Sequence, residues 1–261
     1  MATKFALKPL FIVMPDGVTK TFWFDGNGKI TVGNGTFVQP VANSFSLVQV
    51  EDCPFATKLC GSVCYVHRLE KAEAEVHSKY RYNSVTIREV LRDHTYAGTV
   101  REMFASYIYA YARKGFRWHV SGDIFSLEYA EFIAAICKMT PGVMQWIYTR
   151  SFPYVEPLLN IENLAINLSA DAENYAKALV LHERHGLRMC YMTVDGSLPP
   201  DLPAGSVIFP SHELRGRELP DPKQAPWWQT LAPQQKRMVC PPDFFGQSEH
   251  LRCGPCRKCL L

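Results

Sequence analysis

From residue 116 onward short apolar runs alternate with stretches of helical periodicity, and this alternation limits the folds open to the chain more than any other feature. Residues 116–120, 144–148, 164–168, 187–194 and 206–210 read as strands, and residues 45–50 upstream have the same character. Most of these runs are apolar at consecutive positions, the pattern of strands covered on both faces. Between them, residues 127–139 bring Phe132, Ile136 and Met139 onto one helical face. Asp171 is placed to cap a helix in which Tyr175, Ala178, Leu179 and His182 recur at helical spacing, ended by Gly186 at a left-handed C-terminal position. Residues 152–159 read as a short helix or turn, and residues 66–114 as mostly helical, with Val100, Met103, Phe104, Ile108 and Tyr111 in register. Six strands joined by helices or crossovers specify an α/β protein with a parallel sheet, either a (βα)6 partial barrel or an open doubly wound sheet.

Three units follow. Residues 1–44 hold strand-like runs near residues 10–14, 21–24 and 37–38, separated by Asp25-Gly26-Asn27-Gly28 and Gly33-Asn34-Gly35, which predicts an N-terminal β-hairpin lead-in. Residues 45–215 carry the six-strand unit, and residues 216–261 form a cysteine-rich extension that Trp227 and Trp228 are expected to pack onto it. With 47% hydrophobic and 20% charged residues the chain can bury a large core, which excludes a disordered protein. No apolar run approaches the roughly 20 residues that span a bilayer. The opening Met1-Ala2-Thr3-Lys4-Phe5 lacks the apolar segment of a secretory signal, so a soluble cytoplasmic protein is expected. A formal charge of +3 is too small to imply a nucleic-acid partner, although Arg237, Arg252, Arg257 and Lys258 make the C-terminal region locally basic.

Seven of the nine cysteines fall into two sets, Cys53, Cys60 and Cys64, and Cys240, Cys253, Cys256 and Cys259. In a reducing compartment clustered thiols bind metal or do redox chemistry rather than persist as disulfides. The C-x2-C-x2-C run of the second set suits an iron–sulfur cube better than a zinc ion, with Cys240 as a fourth ligand. The first set, C-x6-C-x3-C, leaves a 4Fe-4S cube with one iron open to a small-molecule ligand. Two alternatives stand beside it: Cys137 or Cys190 completes that cluster, or His67 completes a zinc site. Cys137 on an apolar helix face and Cys190 within a strand read as buried core thiols. His182 and His185, next to Glu183 and Arg184, read as a solvated helix end.

The polar residues that follow the strands converge as well. Ser121-Gly122-Asp123, Thr149-Arg150-Ser151, Ser169 with Asp171, Asp195-Gly196 and Ser211-His212-Glu213 each come directly after a strand. In a parallel α/β protein the loops at the carboxyl ends of the strands share one face and carry the ligand site. The three-cysteine loop belongs to the same face. No glycine-rich phosphate loop is present.

The run from Cys53-Pro54-Phe55 through Cys60-Gly61-Ser62-Val63-Cys64-Tyr65, the segment His119-Val120-Ser121-Gly122-Asp123-Ile124, the segment Tyr148-Thr149-Arg150-Ser151, and the terminal cysteines resemble the bacteriophage gene product 88 family from about residue 45 to the end. That family is similar in layout to radical S-adenosylmethionine enzymes. The resemblance implies a partial (βα)6 barrel, a 4Fe-4S cluster on Cys53, Cys60 and Cys64, and an auxiliary cluster on Cys240, Cys253, Cys256 and Cys259. It further implies that Ser121, Gly122 and Asp123 contact the methionine amino group of S-adenosylmethionine, with Ser169 and Asp195 near its ribose and carboxylate. Asp123, Ser169 and Asp195 are thereby the expected catalytic residues. The spacing departs from the C-x3-C-x2-C of those enzymes, and the aromatic residue, Tyr65, follows the last cysteine instead of preceding it. Sulfur-transfer or desulfurase-like chemistry at the open iron therefore stands beside radical chemistry, either needing an electron donor or a small sulfur-containing ligand, in host cytoplasm for a phage protein. The alternative from another class is a non-catalytic zinc- or cluster-binding module, associated with nucleic acid.

Overall fold

The computed structural model describes residues 7–26, 43–67, 74–112, 115–211, 213–215, 221–244, 256 and 258–259. Among them eight strands form one sheet whose spatial order is the chain order. β1 (Leu7–Val13) and β2 (Thr19–Asp25) make an antiparallel hairpin, and β2 pairs antiparallel with the two-residue β3 (Ser44–Phe45). From β3 onward every pairing is parallel: β4 (Phe116–Trp118), β5 (Gln145–Thr149), β6 (Leu164–Ala170), β7 (Arg188–Thr193) and β8 (Val207–Pro210). The sheet is not closed, since β1 and β8 are its two ends.

The hairpin forms where alternating residues bury one side, and its turn precedes the Asp25-Gly26-Asn27-Gly28 segment, most of which lies outside the described residues. Gly17, at a φ of 84°, donates to the Met14 carbonyl, and Asp16 accepts from the Val18 amide, so Asp16-Gly17 makes the turn. Asp25 ends β2 inside the sheet, paired with Ser44. The expected strand near residues 37–38 lies outside the described residues.

β3 is far shorter than the strand expected over residues 45–50. Beyond Phe45 the backbone leaves the ladder: the Leu47 amide donates to the Ser121 carbonyl at 3.0 Å and the Val48 amide to Ser84 Oγ at 2.9 Å. Val50 then adopts a φ of 68°, which ends any extended run. This departure starts the cysteine loop.

Helices cover one face. α1 (Lys58–Val63) lies in the cysteine loop, while α2 (Ala74–Arg92) and α3 (His94–Tyr111) fill the long connection to β4. α4 (Leu127–Met139) follows β4 and α5 (Tyr175–His185) follows β6. Capping fixes their starts: Asp93 accepts from the amides of Thr95 and Tyr96, and Ser126 from that of Tyr129. Asp171 does not cap α5. Asn174 holds that position without a side-chain cap, while Gly186 closes the helix at a φ of 67°. Asp171 is used elsewhere, as described below.

Strand register sorts the sheet into two faces. Phe22, Phe24, Phe45, Phe116, Trp118, Ile147, Leu164 and Ile166 pack with Phe104, Phe132 and Ile133 of the helices in one core. Leu168, Ala170, Met189 and Tyr191 continue this face under Ala178 of α5. Burying such a large side chain contributes about 1.5–3 kcal/mol, so this face supplies the stability of the fold. The alternate residues, on the opposite face, include Asp25, Ser44, Arg117, Tyr148, Asn167, Ser169, Arg188 and Cys190. One face of the sheet is an apolar core and the other is polar at its centre.

The C-terminal segment closes the end of the sheet beyond β8. α6 (Pro226–Thr230), α7 (Pro233–Met238) and α8 (Pro241–Phe244) place Trp227, Trp228, Leu231, Val239 and Phe244 against Ile208. Trp227 Nε1 donates to the Gly196 carbonyl at 2.9 Å. Val239 makes a parallel bridge to Ile208, and the Cys240 amide donates to the Ile208 carbonyl at 2.9 Å. Among the described residues no helix is long and apolar enough to cross a membrane.

Candidate functional site

The first cysteine loop is anchored at the carboxyl ends of β4, β5 and β6. The Cys53 amide donates to the Val50 carbonyl, closing the turn that follows β3. Thr57 starts α1 by accepting from the Cys60 amide at 3.0 Å. The carboxylate of Glu173 accepts from the Lys58 and Leu59 amides at 3.2 and 2.7 Å, an anion at the helix N-terminus where free amides favour it. Thr57 Oγ1 donates to Asp171 at 2.5 Å, and Arg150 Nη1 donates to the same carboxylate oxygen at 2.7 Å. Arg150 and Asp171 are both buried, so the pair is shielded from water. An open groove beside it is lined by Phe55, Thr57, Arg150, Phe152, Asn174 and Lys177.

Asp123 welds the β4 loop to the β5 loop. Its carboxylate accepts from the Ile124 amide, Thr149 Oγ1 and the Arg150 amide, each at 2.7 Å. Burial raises its pKa, and the hydrogen bonds from Thr149, Arg150, Ile124 and Ser151 oppose that rise. The Asp123 amide donates to the Asp52 carbonyl at 2.7 Å, which brings the cysteine loop against this corner. Next to it, Gly122 at a φ of 78° lies so close to Leu47 that an added β-carbon would stand 2.6 Å from Leu47 Cβ. Ser121 is buried and its carbonyl holds the Leu47 amide.

The three thiols sit partly buried around this corner. Burial pushes the Cys53 thiol up to about 12, and the charge of Asp123 and the neighbouring Cys60 and Cys64 act in the same direction. Burial also raises the Cys60 thiol, against the opposing pull of the Arg150 guanidinium. Cys53, Cys60 and Cys64 are thus within electrostatic reach of one another, with a cation and two carboxylates as walls. Among the described residues, however, no three His, Cys, Asp or Glu side chains stand close enough to hold one metal ion. A single zinc draws its thiolates to about 2.3 Å from one point. A cube distributes its thiolates over separate irons and does not require that convergence.

The expected catalytic residues each bond to different partners. Asp123 is engaged in the β4–β5 corner, and Ser169 lies on the polar face with its carbonyl accepting from Asn174 Nδ2 at 3.1 Å. Asp195 is exposed and shapes its own turn, accepting from the Ser197 amide at 2.9 Å and Ser197 Oγ at 2.7 Å. These last bonds hold its carboxyl below the usual range.

The second cysteine set meets the polar face of the sheet. Cys253 lies outside the described residues, while Cys240, Cys256 and Cys259 are partly buried. Asn167 Nδ2 donates to the Cys259 carbonyl at 3.2 Å. The Cys259 thiol lies against Cys190, Tyr148, Arg188 and Arg117, and the hydrogen bond from Cys190 draws it below the usual thiol value, aided by Tyr148 and the two cations. Burial holds Cys190 protonated. Cys190 is buried as expected, but on the polar face of the sheet, with Asn167 and Cys259 as its partners. Cys137 is the core thiol expected of it, fully buried on its helix and donating to Gln145 Oε1 at 3.4 Å.

Arg117 links the two regions. Its guanidinium covers the Tyr148 ring at 4.8 Å, and Nε donates to the His119 carbonyl at 3.1 Å. The Tyr65 hydroxyl, one residue after Cys64, donates to the Val120 carbonyl at 2.8 Å and lies beside Arg117. Asp25 stands near Arg117, accepts from Ser46 Oγ, and is raised to about 7 by complete burial. His119, at a φ of 58°, is buried against Tyr129 at 2.9 Å, and burial lowers its ring to about 3, so it is neutral. Arg117, Asn167 and Arg188 were not singled out from the sequence, and Tyr148 only as part of the Tyr148-Thr149-Arg150-Ser151 segment. Their signal was present, as polar residues at alternate positions of otherwise apolar strands.

The family model described as Gene product 88 matches residues 19–260. The Gene 88 protein of Mycobacterium phage L5 is 34% identical over 176 residues, which cover 63% of this chain and 69% of that protein. The Gene 88 protein of Mycobacterium phage D29 is 33% identical over 177 residues, covering 63% of this chain and 68% of that protein. No solved structure matches the chain.

Proposed function

The chain belongs to the Gene product 88 family, and on that premise we propose that it is an iron–sulfur enzyme of the phage-infected host cytoplasm. In this reading Cys53, Cys60 and Cys64 hold a 4Fe-4S cluster whose fourth iron is open to a small-molecule ligand. We read the six consecutive parallel strands, with helices on one face and polar side chains on the other, as a (βα)6 partial barrel. The observation that carries the proposal is the position of the three-thiol loop at the carboxyl ends of β4, β5 and β6, pinned there by Thr57, Arg150 and Asp171. Ligand sites of parallel α/β proteins occupy that edge.

A cluster bound there would supply an electron or a Lewis-acidic iron, for radical chemistry with S-adenosylmethionine or for sulfur transfer. The chain's own part is positioning. Arg150 and Asp171 fix the loop, and the partial burial of the thiols limits water at the site. Arg117, carrying positive charge on the polar face, is placed to attract an anionic ligand group. Ser121, Gly122 and Asp123 shape the corner beneath the thiols, Asp123 through its carboxylate bonds and Gly122 through its contact with Leu47.

Anaerobic purification and reconstitution with ferrous iron and sulfide, followed by iron, sulfide and zinc analysis, tests the reading. About four irons per intact three-cysteine loop are expected. Zinc in both cysteine sets with no iron taken up would instead favour the non-catalytic module. Formation of 5'-deoxyadenosine by the reduced protein on addition of S-adenosylmethionine separates radical chemistry from other uses of the open iron.

A further inference from the structure

We propose that Cys190 is a ligand of the metal centre built by the C-terminal cysteines, so that a strand of the sheet itself supplies one thiolate to it. The inference rests on the reading that the cysteine sets bind metal, and it concerns the second set alone.

Cys190 lies on the polar face of the sheet, in register with Ser169 of β6 and Val207 of β8. Residues 239–240 run beside β8, because Val239 bridges Ile208 in parallel and the Cys240 amide donates to the Ile208 carbonyl. Val239 shares the face of Ile208, so the alternation of an extended chain turns Cys240 to the face of Val207 and Cys190. Cys259 lies on that face as well. One asparagine side chain serves both thiol residues: Asn167 Nδ2 donates to the Cys259 carbonyl at 3.2 Å, and Asn167 Oδ1 accepts from Cys190 Sγ at 3.7 Å. The Cys190 and Cys259 thiols are hydrogen-bonded to each other, with Cys240 in electrostatic reach. Three separate parts of the chain thus bring cysteines to the same face of the sheet, Cys190 and Cys259 side by side and Cys240 within electrostatic reach, a spread that suits a cluster with its thiolates on separate irons better than a single ion. Arg117 and Arg188 beside Cys259 offset the negative charge that a thiolate-bound centre carries. On binding, the Cys190 Sγ–H proton passes to solvent as its sulfur bonds to the metal, with no change of oxidation state.

The test uses the full chain carrying Cys53→Ala, Cys60→Ala and Cys64→Ala, so that only the second centre can form. After anaerobic reconstitution with ferrous iron and sulfide, this chain should hold about four irons. Adding Cys190→Ala or Cys190→Ser should bring iron to near zero or change the electron paramagnetic resonance spectrum, whereas Cys137→Ala should do neither. Dibromobimane, which bridges adjacent thiols, should join Cys190 to Cys259 in the metal-free chain without these substitutions, as read by mass spectrometry. This second measurement holds even where a Cys190 variant fails to fold. Unchanged iron and an unchanged spectrum in both Cys190 variants would overturn the assignment, as would absence of the cross-link or a second set that binds neither iron nor zinc. If the chain takes zinc but no iron and loses the zinc on Cys190→Ala, the Cys190 assignment stands while the iron–sulfur reading falls.

Discussion

Arg150 reaches Asp171 with a 2.7 Å contact between Nη1 and Oδ2, and both side chains are buried. Asp171 also accepts from Thr57 Oγ1 and, through its other oxygen, from the Glu173 amide at 2.9 Å. One ion pair therefore joins the end of β5, the end of β6 and the cysteine loop. Removing one partner leaves a buried charge without compensation, so Arg150→Met or Asp171→Asn should each cost about 3–5 kcal/mol in urea unfolding. The double variant Arg150→Met/Asp171→Leu should cost clearly less than the sum of the single changes. Strict additivity would remove the pair from its anchoring role.

The corner beneath the thiols is packed without space for a side chain at Gly122. Gly122→Ala combines a positive φ with a β-carbon 2.6 Å from Leu47 Cβ, and should destabilise the protein by about 1–3 kcal/mol. Leu47→Ala alone opens a cavity in the core, at about 2–5 kcal/mol. Together the two should show a coupling of at least about 0.5 kcal/mol in a double-mutant cycle, because the second change relieves the overlap created by the first. No coupling would show that the backbone at Gly122 shifts away from Leu47.

Asp25 gives the stability a pH dependence of definite sign. Its carboxyl is raised from 3.8 to about 7 by burial, so the folded protein keeps the proton while the unfolded chain releases it. The stabilisation is fully present below about pH 4 and is lost as pH rises toward 7, a change of about 4 kcal/mol. Asp25→Asn should therefore gain stability relative to the unsubstituted protein as pH is raised from 4 to 7, measured by chemical denaturation across that range. A difference that does not vary with pH would mean that Asp25 ionises freely in the fold.

The two cysteine sets should be separable by substitution. Cys60→Ala should remove iron from the first set only, and Cys256→Ala from the second only, each leaving about half of the metal and sulfide of the reconstituted protein. Loss of all metal from either change would indicate a single shared centre.

How much of this was legible in the sequence depended on whether local or distant partners decide a residue's fate. α4 was expected at residues 127–139 and is found there, because its cap at Ser126 and its apolar period are both local. The strand positions from β4 to β8 were likewise readable from apolar runs. β3 was overestimated because its end is set by Ser121 and Ser84, which are distant in the chain and take the backbone amides of Leu47 and Val48. Asp171 looked like a helix cap, since a carboxylate before a helix usually is one, and only the fold reveals the guanidinium of Arg150 beside it. Cys190 in an apolar strand was readable as a buried thiol, but sequence does not say which face the register gives it or that Asn167 and Cys259 meet it there. Arg117, Asn167 and Arg188, at positions in register with that face, carried the missing information.

Among the described residues every strand of the sheet lies beside those that precede and follow it in the chain. A ribosome therefore delivers the strands in the order in which they pair, and each new strand docks on the edge left by the one before it. The cysteine loop after β3 is made early, yet its walls at Asp123, Arg150 and Asp171 emerge only with β4, β5 and β6. Cys240 and Cys259, by contrast, reach a sheet that is already built, where Asn167 and Cys190 are waiting. The first thiols must wait for their surroundings, and the last ones are met by theirs.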